Sequence, residues 1–262
     1  MVPTQCAPLS HPAPIVDAGP RLAVRLAATA REVEQACRLR YQVFVQEPRV
    51  EPLYNASGIE RDALDDACDH LVVADDARGL VVATYRMLPG TRAAHTPLYT
   101  ESEFDLHGFR SQVPHTLELA RSCVHRDYRD GSAARLLWEG MLRYYFSRPG
   151  LQYLIGCASL RAADVEDVSL LHSYFRRQPC GSNRFGIRPK PALRIEGLRD
   201  VGEVDPAVAR AKLPTMIKAY LRIGGEVVPE PVYDPVFRTY DFCMIVPKAL
   251  MPRAYQRKFG GR

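Results

Sequence analysis

The order of apolar and polar residues along this chain predicts alternating strands and helices. Residues 21–27, RLAVRLA, alternate with the period of two that is typical of a half-buried strand. Residues 29–44 then carry apolar side chains at helical spacing, and Thr29 and Glu32 have the spacing of a capping box. The folded part of the chain is therefore predicted to begin with a strand and an amphipathic helix.

The middle of the chain predicts a hairpin followed by parallel strands. Apolar runs at 70–75 and 80–88 flank the turn-forming sequence DARG. A further strand begins near His115, and a strand at 153–160 follows the helix predicted next. The helices predicted here cover 131–147 and 164–178. Strand and helix in alternation imply that the strands near 115 and 153 are parallel neighbours.

The other segments give weaker patterns. Residues 45–69 form a polar loop of unusual length, which favours a functional role. Residues 89–112 are predicted to cross the fold with one short helix around SEFDLHG. The last third predicts a helix over 211–224, a strand over 239–246 and a basic amphipathic end.

Composition places the chain among ordinary globular proteins. Apolar residues make up 47% and charged residues 25%, so one domain over 21–262 is expected, after a disordered leader over 1–20. The formal charge of +5 is too small to indicate nucleic-acid binding. Seven scattered cysteines show neither disulfide nor zinc spacing, and no signal or membrane-spanning run is evident. We therefore expect a cytoplasmic protein without a metal site.

One predicted strand carries two opposite charges that a buried strand would not need. Glu118 and Arg121 are three residues apart, so a regular strand would direct them to opposite faces. A bulge between them would bring both to one face, where they could pair, and bulges often occur beside active sites. The pair indicates a carboxylate base, Glu118, oriented by Arg121. A purely structural ion pair is the alternative.

The turn after this strand has the features of an anion site. Small residues stand where the next helix begins, and its first amides could receive a phosphate. Basic side chains surround that point and could attract an acidic partner. The residues concerned are Gly131, Ser132 and Ala133, with Arg126, Arg129 and Arg135. Such a turn also occurs in nucleotide-binding proteins, so alone it does not specify the ligand.

Together these features resemble the GNAT superfamily, whose turn pattern is Q/R-x-x-G-x-G/A. Here the window runs from Tyr128 to Ala133 and fits at Gly131 and Ala133, whereas Tyr128 replaces the expected Gln or Arg. The resemblance implies an α/β (α+β) fold with a mixed, mostly antiparallel sheet. It also implies a splayed, bulged fourth strand and helices on both faces. The departure at Tyr128 favours a donor attached to a carrier protein over free coenzyme A.

A more specific resemblance is to acyl-homoserine-lactone synthases and to the ornithine N-acyltransferases of ornithine-lipid synthesis. It rests on charged and aromatic positions that occur in order along the chain. These positions are Arg40, Phe44, Asp66, Asp69, Arg86, Glu118 and Arg121. The flanking segments, among them LLWEGMLRYY and LPTMIKAYLRIGG, resemble the ornithine branch.

The resemblance implies transfer of a 3-hydroxyacyl chain from the phosphopantetheine of acyl carrier protein to the α-amine of L-ornithine. No tightly bound cofactor is expected. Asp66 and Asp69 would bind the cationic side chain of the substrate, and Arg40 or Arg86 its carboxylate. For Asp66 and Asp69 a turn-capping role is the alternative, and Arg40 could equally be a solvated side chain.

Two functional alternatives stay open. The acceptor could be glycine, lysine, glutamine or S-adenosylmethionine, or the chain could be a non-catalytic module that binds acyl carrier protein.

The tail MPRAYQRKFGGR places Met251, Tyr255 and Phe259 on one helical face among basic residues, which favours peripheral contact with an anionic membrane. A simple solvated end is the alternative.

Overall fold

A computed structural model describes residues 22–93, 95–161 and 164–260. The predicted disordered leader, residues 1–20, lies outside the described residues.

Most strands of the described residues form one large sheet, and two short strands, Phe104–Asp105 and Arg188–Pro189, pair separately. The order in the large sheet is β1-β2-β3-β4-β5-β8-β6, with β7 also paired to β8. Only β4 and β5 are parallel, and the other pairs are antiparallel. The strands are β1 (Leu22–Leu26), β2 (Asp69–Asp75), β3 (Leu80–Pro89), β4 (Thr116–Val124), β5 (Tyr153–Leu160), β6 (Glu226–Val227), β7 (Val232–Asp234) and β8 (Thr239–Pro247). The predicted hairpin and the predicted parallel pair are confirmed.

Helices cover both faces of this sheet, as expected. Helices α3, α4 and α6 pack on one face, whereas α1 packs on the other against Val72, Val81 and Cys123. The helices are α1 (Ala30–Tyr41), α2 (Thr100–Glu103), α3 (Ser132–Phe146), α4 (Val165–Arg176), α5 (Pro206–Lys212), α6 (Thr215–Arg222) and α7 (Arg253–Phe259). None of the helices in the described ranges combines the length and apolar character that crossing a bilayer requires.

Two predicted helices differ from the observed ones. The helix predicted over 211–224 is interrupted, because Pro214 lacks an amide hydrogen and stands at the start of α6. The short helix predicted around 102–108 lies earlier, as α2, and a 3₁₀ segment over His107–His115 follows it. This shift has a consequence for the site, because α2 ends at Glu103.

The start of α1 follows the predicted cap. The Thr29 hydroxyl accepts a hydrogen bond from the Glu32 amide, and the Glu32 carboxylate accepts one from the Ala28 amide. At its other end α1 continues into a π-helical turn, Gln42–Gln46. That turn changes the direction in which Phe44 projects, and π-turns are frequent at functional sites.

The fourth strand is bulged and splayed, as expected. Ala120 pairs with Arg86 and Cys123 pairs with Thr84, so β4 contains one residue more than β3 over this interval. Arg121 lies within this bulge and has a positive φ of 54°.

The pairing of β4 with β5 extends only over Thr116–Glu118 and Tyr153–Ile155. Beyond these residues β4 and β5 follow different neighbours, β3 and β8. Gly156 permits the close contact at the branch point, since a Cβ there would lie 2.3 Å from the Leu119 carbonyl oxygen. The sheet therefore opens a V-shaped gap between its fourth and fifth strands.

Candidate active site

A cavity of about 810 Å³ lies at this gap. Its walls come from β4 and β5, from the π-helical turn, from the α5–α6 junction and from the β7–β8 region. The wall includes Phe44, Tyr99, Arg121, Asp234 and Asp241. An extended ligand in the gap would therefore contact the bulge of β4 on one side and carboxylates from β7 and β8 on the other.

Arg121 projects from the bulge into the cavity and is firmly held. Its guanidinium carbon lies 4.6 Å from the Tyr99 ring centroid and 4.9 Å from that of Phe237. Its nitrogens lie 3.0 Å from a Glu60 carboxylate oxygen and 3.6 Å from an Asp62 oxygen. Burial acts to lower the pKa of Arg121, but the Glu60 and Asp62 carboxylates and the Tyr99 hydroxyl raise it above its ordinary value. Arg121 is thus a permanent cation at the cavity wall.

Behind Arg121 lies an ionic cluster with equal numbers of both charges. Arg40, which is 0% exposed, pairs with Glu60 and makes a two-point contact with Asp65. Arg86 lies 2.6 Å from Asp62 and 3.3 Å from Asp65. We call this set, Arg40, Arg86, Arg121, Glu60, Asp62 and Asp65, the arginine cluster.

The charge state of the arginine cluster follows from its contacts. Burial by itself would raise the pKa of Asp65, but hydrogen bonds and charge from Arg40 lower it to about 2. Burial lowers the pKa of the adjacent His70, which favours its neutral form. Three guanidinium groups therefore face three carboxylates, and the cluster is close to neutral.

The structure changes the predicted role of Arg40 and Arg86. One or the other was expected to bind the carboxylate of the substrate. Both are instead enclosed and neutralised by Asp65 and its neighbours, because the long loop over 45–69 folds its acidic residues onto them. Phe44, by contrast, lines the cavity and meets Phe237 edge-to-face at 6.3 Å between centroids.

Glu118 shares a face with Arg121, but the predicted pair between them is wrong. Both residues contact Tyr99, as expected for side chains on one side of the sheet. The Glu118 carboxylate accepts hydrogen bonds from the Tyr99 amide (2.8 Å) and from the Thr100 amide and hydroxyl (both 2.7 Å). Among the described residues, the ion pairs of Arg121 go to Glu60 and Asp62. Both side chains bind residues that are distant in sequence, and so they do not pair with each other.

The position of Glu118 decides what it can contact. It is buried below the wall that the described residues form, and its carboxylate holds the first turn of α2. Burial raises the pKa of Glu118, while the three hydrogen bonds oppose this shift. A carboxylate so enclosed orients Tyr99 rather than reaching a ligand in the cavity.

Asp66 and Asp69 lie outside the arginine cluster, contrary to expectation. Asp66 is 77% exposed and pairs with the surface residue Arg61. Asp69 lies 2.9 Å from Arg92 and accepts a hydrogen bond from Tyr144. The 3₁₀ turn over Asp65–Ala67 is responsible, because it directs Asp65 inward and Asp66 outward.

Three buried carboxylates form a second charged group on the opposite wall. We call this set, Glu103, Asp234 and Asp241, the acidic trio. One oxygen from each lies within 4.8 Å of those of the other two. Glu103 and Asp241 are each only 3% exposed. Within the described ranges, both oxygens of Glu103 and the Oδ1 of Asp241 have no hydrogen-bond partner.

The acidic trio has no counter-charge among the described residues, since none of their ion pairs involves it. Asp234 is well satisfied, because its Oδ1 accepts hydrogen bonds from the amides of Val236 and Phe237, and the Ser159 and Thr239 hydroxyls partly satisfy Asp241. Burial and the neighbouring Asp241 raise the pKa of Glu103 to about 8. Burial likewise raises the pKa of Asp241. An empty trio therefore retains protons near neutral pH.

The turn before α3 explains the unusual Tyr128. Its hydroxyl donates to Asp75 (2.7 Å) and accepts from Arg78 (3.0 Å), so the ring is fixed in the interior. Gly131 has a φ of 95°, which favours glycine. Asp130 accepts hydrogen bonds from the amide and hydroxyl of Ser132 and so occupies one donor of the predicted anion site.

The basic residues around this turn differ in their surroundings. Arg129 lines the cavity and makes a two-point contact with Glu47, with both distances 2.9 Å. Arg126 and Arg135 are exposed and form no ion pair with another described residue. Ala133 is fully buried and faces the core. The turn thus presents free positive charge to solvent beside the cavity.

Neither thiol near the cavity is suited to act as a nucleophile. Burial raises the pKa of Cys123 well above its ordinary value, and burial with nearby Glu103 does the same for Cys157. His125 caps the turn after β4 by accepting from the Asp127 amide. Neither thiol therefore supplies a ready thiolate.

Comparison with known proteins decides the family. The protein-family model described as an acetyltransferase (GNAT) domain matches residues 39–139. The L-ornithine N(alpha)-acyltransferase of Rhizobium meliloti (strain 1021) is 33% identical over 91% of this chain and 84% of its own. That of Rhodobacter capsulatus is also 33% identical, over 91% of this chain and 96% of its own. This chain belongs to the L-ornithine N(alpha)-acyltransferase family. The chain is therefore an acyltransferase.

Solved structures confirm the GNAT fold of this acyltransferase. A CoA-dependent acyl-homoserine lactone synthase, BjaI, with SAM and isopentyl-CoA, matches with a TM-score of 0.50 and 16% identity, covering 92% of this chain and 90% of that chain. TofI, in a ternary complex with an inhibitor and MTA, matches with a TM-score of 0.50 and 17% identity, covering 90% of this chain and 96% of that chain.

Sequence reasoning missed several residues of this acyltransferase site. The missed residues of the arginine cluster are Glu60, Asp62 and Asp65. The other missed residues are Tyr99, Phe237 and the acidic trio. One signal was available: Asp241 interrupts the apolar run TYDFCMIV of β8, as Glu118 interrupts β4.

Proposed function

We propose that this chain transfers a 3-hydroxyacyl group from acyl carrier protein to the α-amine of L-ornithine. The observation that carries the proposal is the cavity at the gap between β4 and β5, with the bulge on one wall. It gives an extended thioester a path through the sheet. The names of the related proteins support ornithine as the acceptor.

The chemistry proposed is direct attack. The neutral α-amine attacks the thioester carbonyl, the new C–N bond forms, and the C–S bond breaks to release the carrier thiol. The amine loses one proton before attack and a second as the amide forms, and one of these protons reaches the leaving thiolate. Because the bulge disrupts the ladder, a backbone amide near Ala120 or Arg121 is free to donate to the developing oxyanion.

We assign new roles to Glu118 and Arg121, which were expected to act as a base and as the cation that orients it. Arg121 contacts the cavity and supplies positive charge where the carbonyl oxygen or the acceptor carboxylate would lie. Glu118 is a positioning residue, because its carboxylate fixes the Tyr99–Thr100 segment. An α-amine has an ordinary pKa of about 8, so solvent can take the first proton from the amine of ornithine.

The carrier-protein donor is supported by surface charge and by Tyr128. Arg126 and Arg135 are exposed beside the cavity, where they would steer an acidic carrier protein. The interior position of Tyr128 and the carboxylate of Asp130 weaken the turn as a site for the pyrophosphate of coenzyme A. A phosphopantetheine arm carries a single phosphate and needs fewer hydrogen-bond donors from that turn.

A carrier-protein donor and a lipid-like product fit an enzyme that acts in the cytoplasm, at the inner face of the membrane. The apolar residues of the C-terminal segment, α7 and the residues just before it, are not free for insertion, however. Met251 is buried, and Phe259 stacks on Phe146 at 6.3 Å. Arg253 and Arg257 remain exposed, so any membrane contact through this helix would be electrostatic.

An assay with purified components tests the proposal. The full chain is incubated with 3-hydroxyacyl carrier protein or the matching acyl-CoA, and with ornithine, lysine, glutamine, glycine or S-adenosylmethionine. Mass spectrometry then detects the N-acyl product. The proposal predicts N-acylornithine from the carrier-protein donor. Product from acyl-CoA alone would contradict the donor, and preference for another amine would contradict the acceptor.

A further inference from the structure

The acidic trio differs from other buried acidic groups of the protein because nothing described neutralises it. Asp65 has two arginines, and Glu118 accepts three hydrogen bonds. The carboxylate of Glu103, at 3% exposure, forms no ion pair among the described residues, and neither of its oxygens has a partner in good hydrogen-bond geometry, although the Tyr99 hydroxyl and the Cys157 thiol lie beside it. Asp241 has an unpartnered oxygen at equal burial.

Such groups are unfavourable unless a ligand satisfies them. An unsatisfied buried polar group costs about 1–3 kcal/mol, and more if it is charged. One oxygen from each carboxylate lies within 4.8 Å of those of the other two, so one small ligand could contact all three carboxylates. The ligand must be a cation or a donor of several hydrogen bonds. Asp234 and Asp241 line the cavity, which gives such a ligand access.

The dimensions admit a primary ammonium group, because no two of the three oxygens are more than 4.8 Å apart, and the location favours one. Charge-assisted N–H···O bonds are about 2.8 Å long, so three oxygens in tetrahedral array around one nitrogen lie about 4.6 Å apart. An ammonium has three N–H donors, one for each carboxylate. The trio also shares its cavity with Arg121, so a ligand with an anionic and a cationic end would meet complementary charge at both walls.

We propose that the acidic trio binds the side-chain ammonium of the amino acid acceptor and thereby selects acceptors with a second amine. The proposal rests on the proposed function above and adds the subsite that reads the acceptor side chain. It replaces Asp66 and Asp69, which lie elsewhere, as the residues for that task. The side-chain ammonium at the trio leaves the α-amine to face the donor at the gap between β4 and β5.

The geometry of α2 links this subsite to Arg121. Tyr99 immediately precedes α2, and its ring contacts Arg121. Glu103 ends the same short helix, and its backbone oxygen accepts from the Lys190 amide. Glu118 holds the first turn of α2 through the Tyr99 and Thr100 amides. The α2 segment therefore fixes the separation between the cationic and acidic walls.

The test compares ornithine with norvaline, which has the same carbon chain but lacks the side-chain amine. Calorimetry measures the binding of each to the full chain, free of acyl donor. The variants are Glu103→Gln and Asp241→Asn, which keep the shape and remove charge. The matched control is Glu230→Gln, at an exposed position without an ion pair among the described residues. MgCl₂ and CaCl₂ are titrated as separate probes.

We expect the unaltered chain and Glu230→Gln to bind ornithine about 100-fold or more tightly than norvaline. Each trio variant should lose most of this preference while binding norvaline as before. A folding defect in one variant would leave the other variant and the unaltered chain to decide. Equal affinity for ornithine and norvaline in the unaltered chain would overturn the proposal. So would unchanged preference in both trio variants, or Mg²⁺ or Ca²⁺ binding that depends on the trio.

The calorimetric result is independent of acyl transfer. If the enzyme acylates a different dibasic amino acid, ornithine as the substrate fails while the trio's preference for a second amine is upheld. If it acylates ornithine but the trio variants keep their preference for ornithine over norvaline, the subsite fails and the proposed function stands.

Discussion

Two buried ionic groups face the same cavity and differ in one respect, their balance of charge. In the arginine cluster three guanidinium groups meet three carboxylates, so the charges balance without a ligand, although the Nη2 of Arg86 has no hydrogen-bond partner among the described residues. In the acidic trio three carboxylates meet one another. The difference separates a scaffold from a binding site, because only the trio gains from an added cation. Residue type alone would have placed substrate contacts in both.

The largest difference should appear in stability. Asp65→Asn leaves Arg40 and Arg86 without a shared counter-charge, and removing one partner of a buried ion pair destabilises by about 3–5 kcal/mol. Glu103→Gln replaces a buried carboxyl that must hold a proton at pH 7 with a neutral amide, and should stabilise the protein or leave it unchanged. Urea unfolding at pH 7 measures both. Equal losses in the two variants would break the distinction between the groups.

The pH dependence of stability sharpens the same comparison. Asp65 has a pKa lowered to about 2, so its contribution is present above the unfolded pKa of 3.8 and is lost as pH falls toward 2. Glu103 has a pKa raised to about 8, so the folded protein binds more protons and loses stability as pH rises from 4.5 to 8. Glu103→Gln should remove that second loss in urea titrations at pH 5 and pH 8.

The next largest effect should be on turnover, at the one member of the arginine cluster that contacts the cavity. Arg121→Lys keeps the charge but loses the flat contact with Tyr99 and Phe237 and the fork toward Glu60 and Asp62. We expect kcat/KM to fall about 100-fold, with unfolding changed less than in Asp65→Asn. A near-normal kcat/KM would show that Arg121 belongs entirely to the scaffold.

A moderate effect is expected from Glu118→Gln. The amide loses charge-assisted hydrogen bonds to Tyr99 and Thr100, so stability should fall by about 1–3 kcal/mol. Because Glu118 positions α2 and lies outside the cavity, the shape of the pH profile of kcat should be unchanged. Loss of the acidic limb of that profile would restore Glu118 as the base.

The smallest effect concerns the carrier-protein surface, which lies outside both groups. Arg135→Glu should raise KM for the acyl carrier protein about 10-fold at low salt and leave KM for ornithine unchanged. Added salt should reduce the difference between variant and parent. An equal rise in both KM values would indicate a structural defect.

Patterns along the sequence predicted the part of the site that a single strand contains. The spacing of Glu118 and Arg121 correctly indicated the bulge and the shared face. Their partners could not be predicted, because Tyr99 and Glu60 come from segments without regular periodicity. The partner of each charged side chain depends on how those segments fold in three dimensions and not on local spacing.

The acidic residues show the same limit. Asp65 and Asp66 are adjacent, yet one is buried between arginines and the other is exposed, because a 3₁₀ turn separates their directions. Glu103, Asp234 and Asp241 are far apart in sequence, so no motif joins them. Asp241 alone gave a signal, a carboxylate within an apolar strand.

The most direct test of charge balance is the number of protons released when ornithine binds. At pH 7 the empty trio retains a proton, since the pKa of Glu103 is about 8, and a bound ammonium favours the ionised form. Calorimetry in two buffers of different ionisation enthalpy should show release of roughly one proton by the unaltered chain and clearly less by Glu103→Gln. Equal proton release by the two proteins would contradict the account.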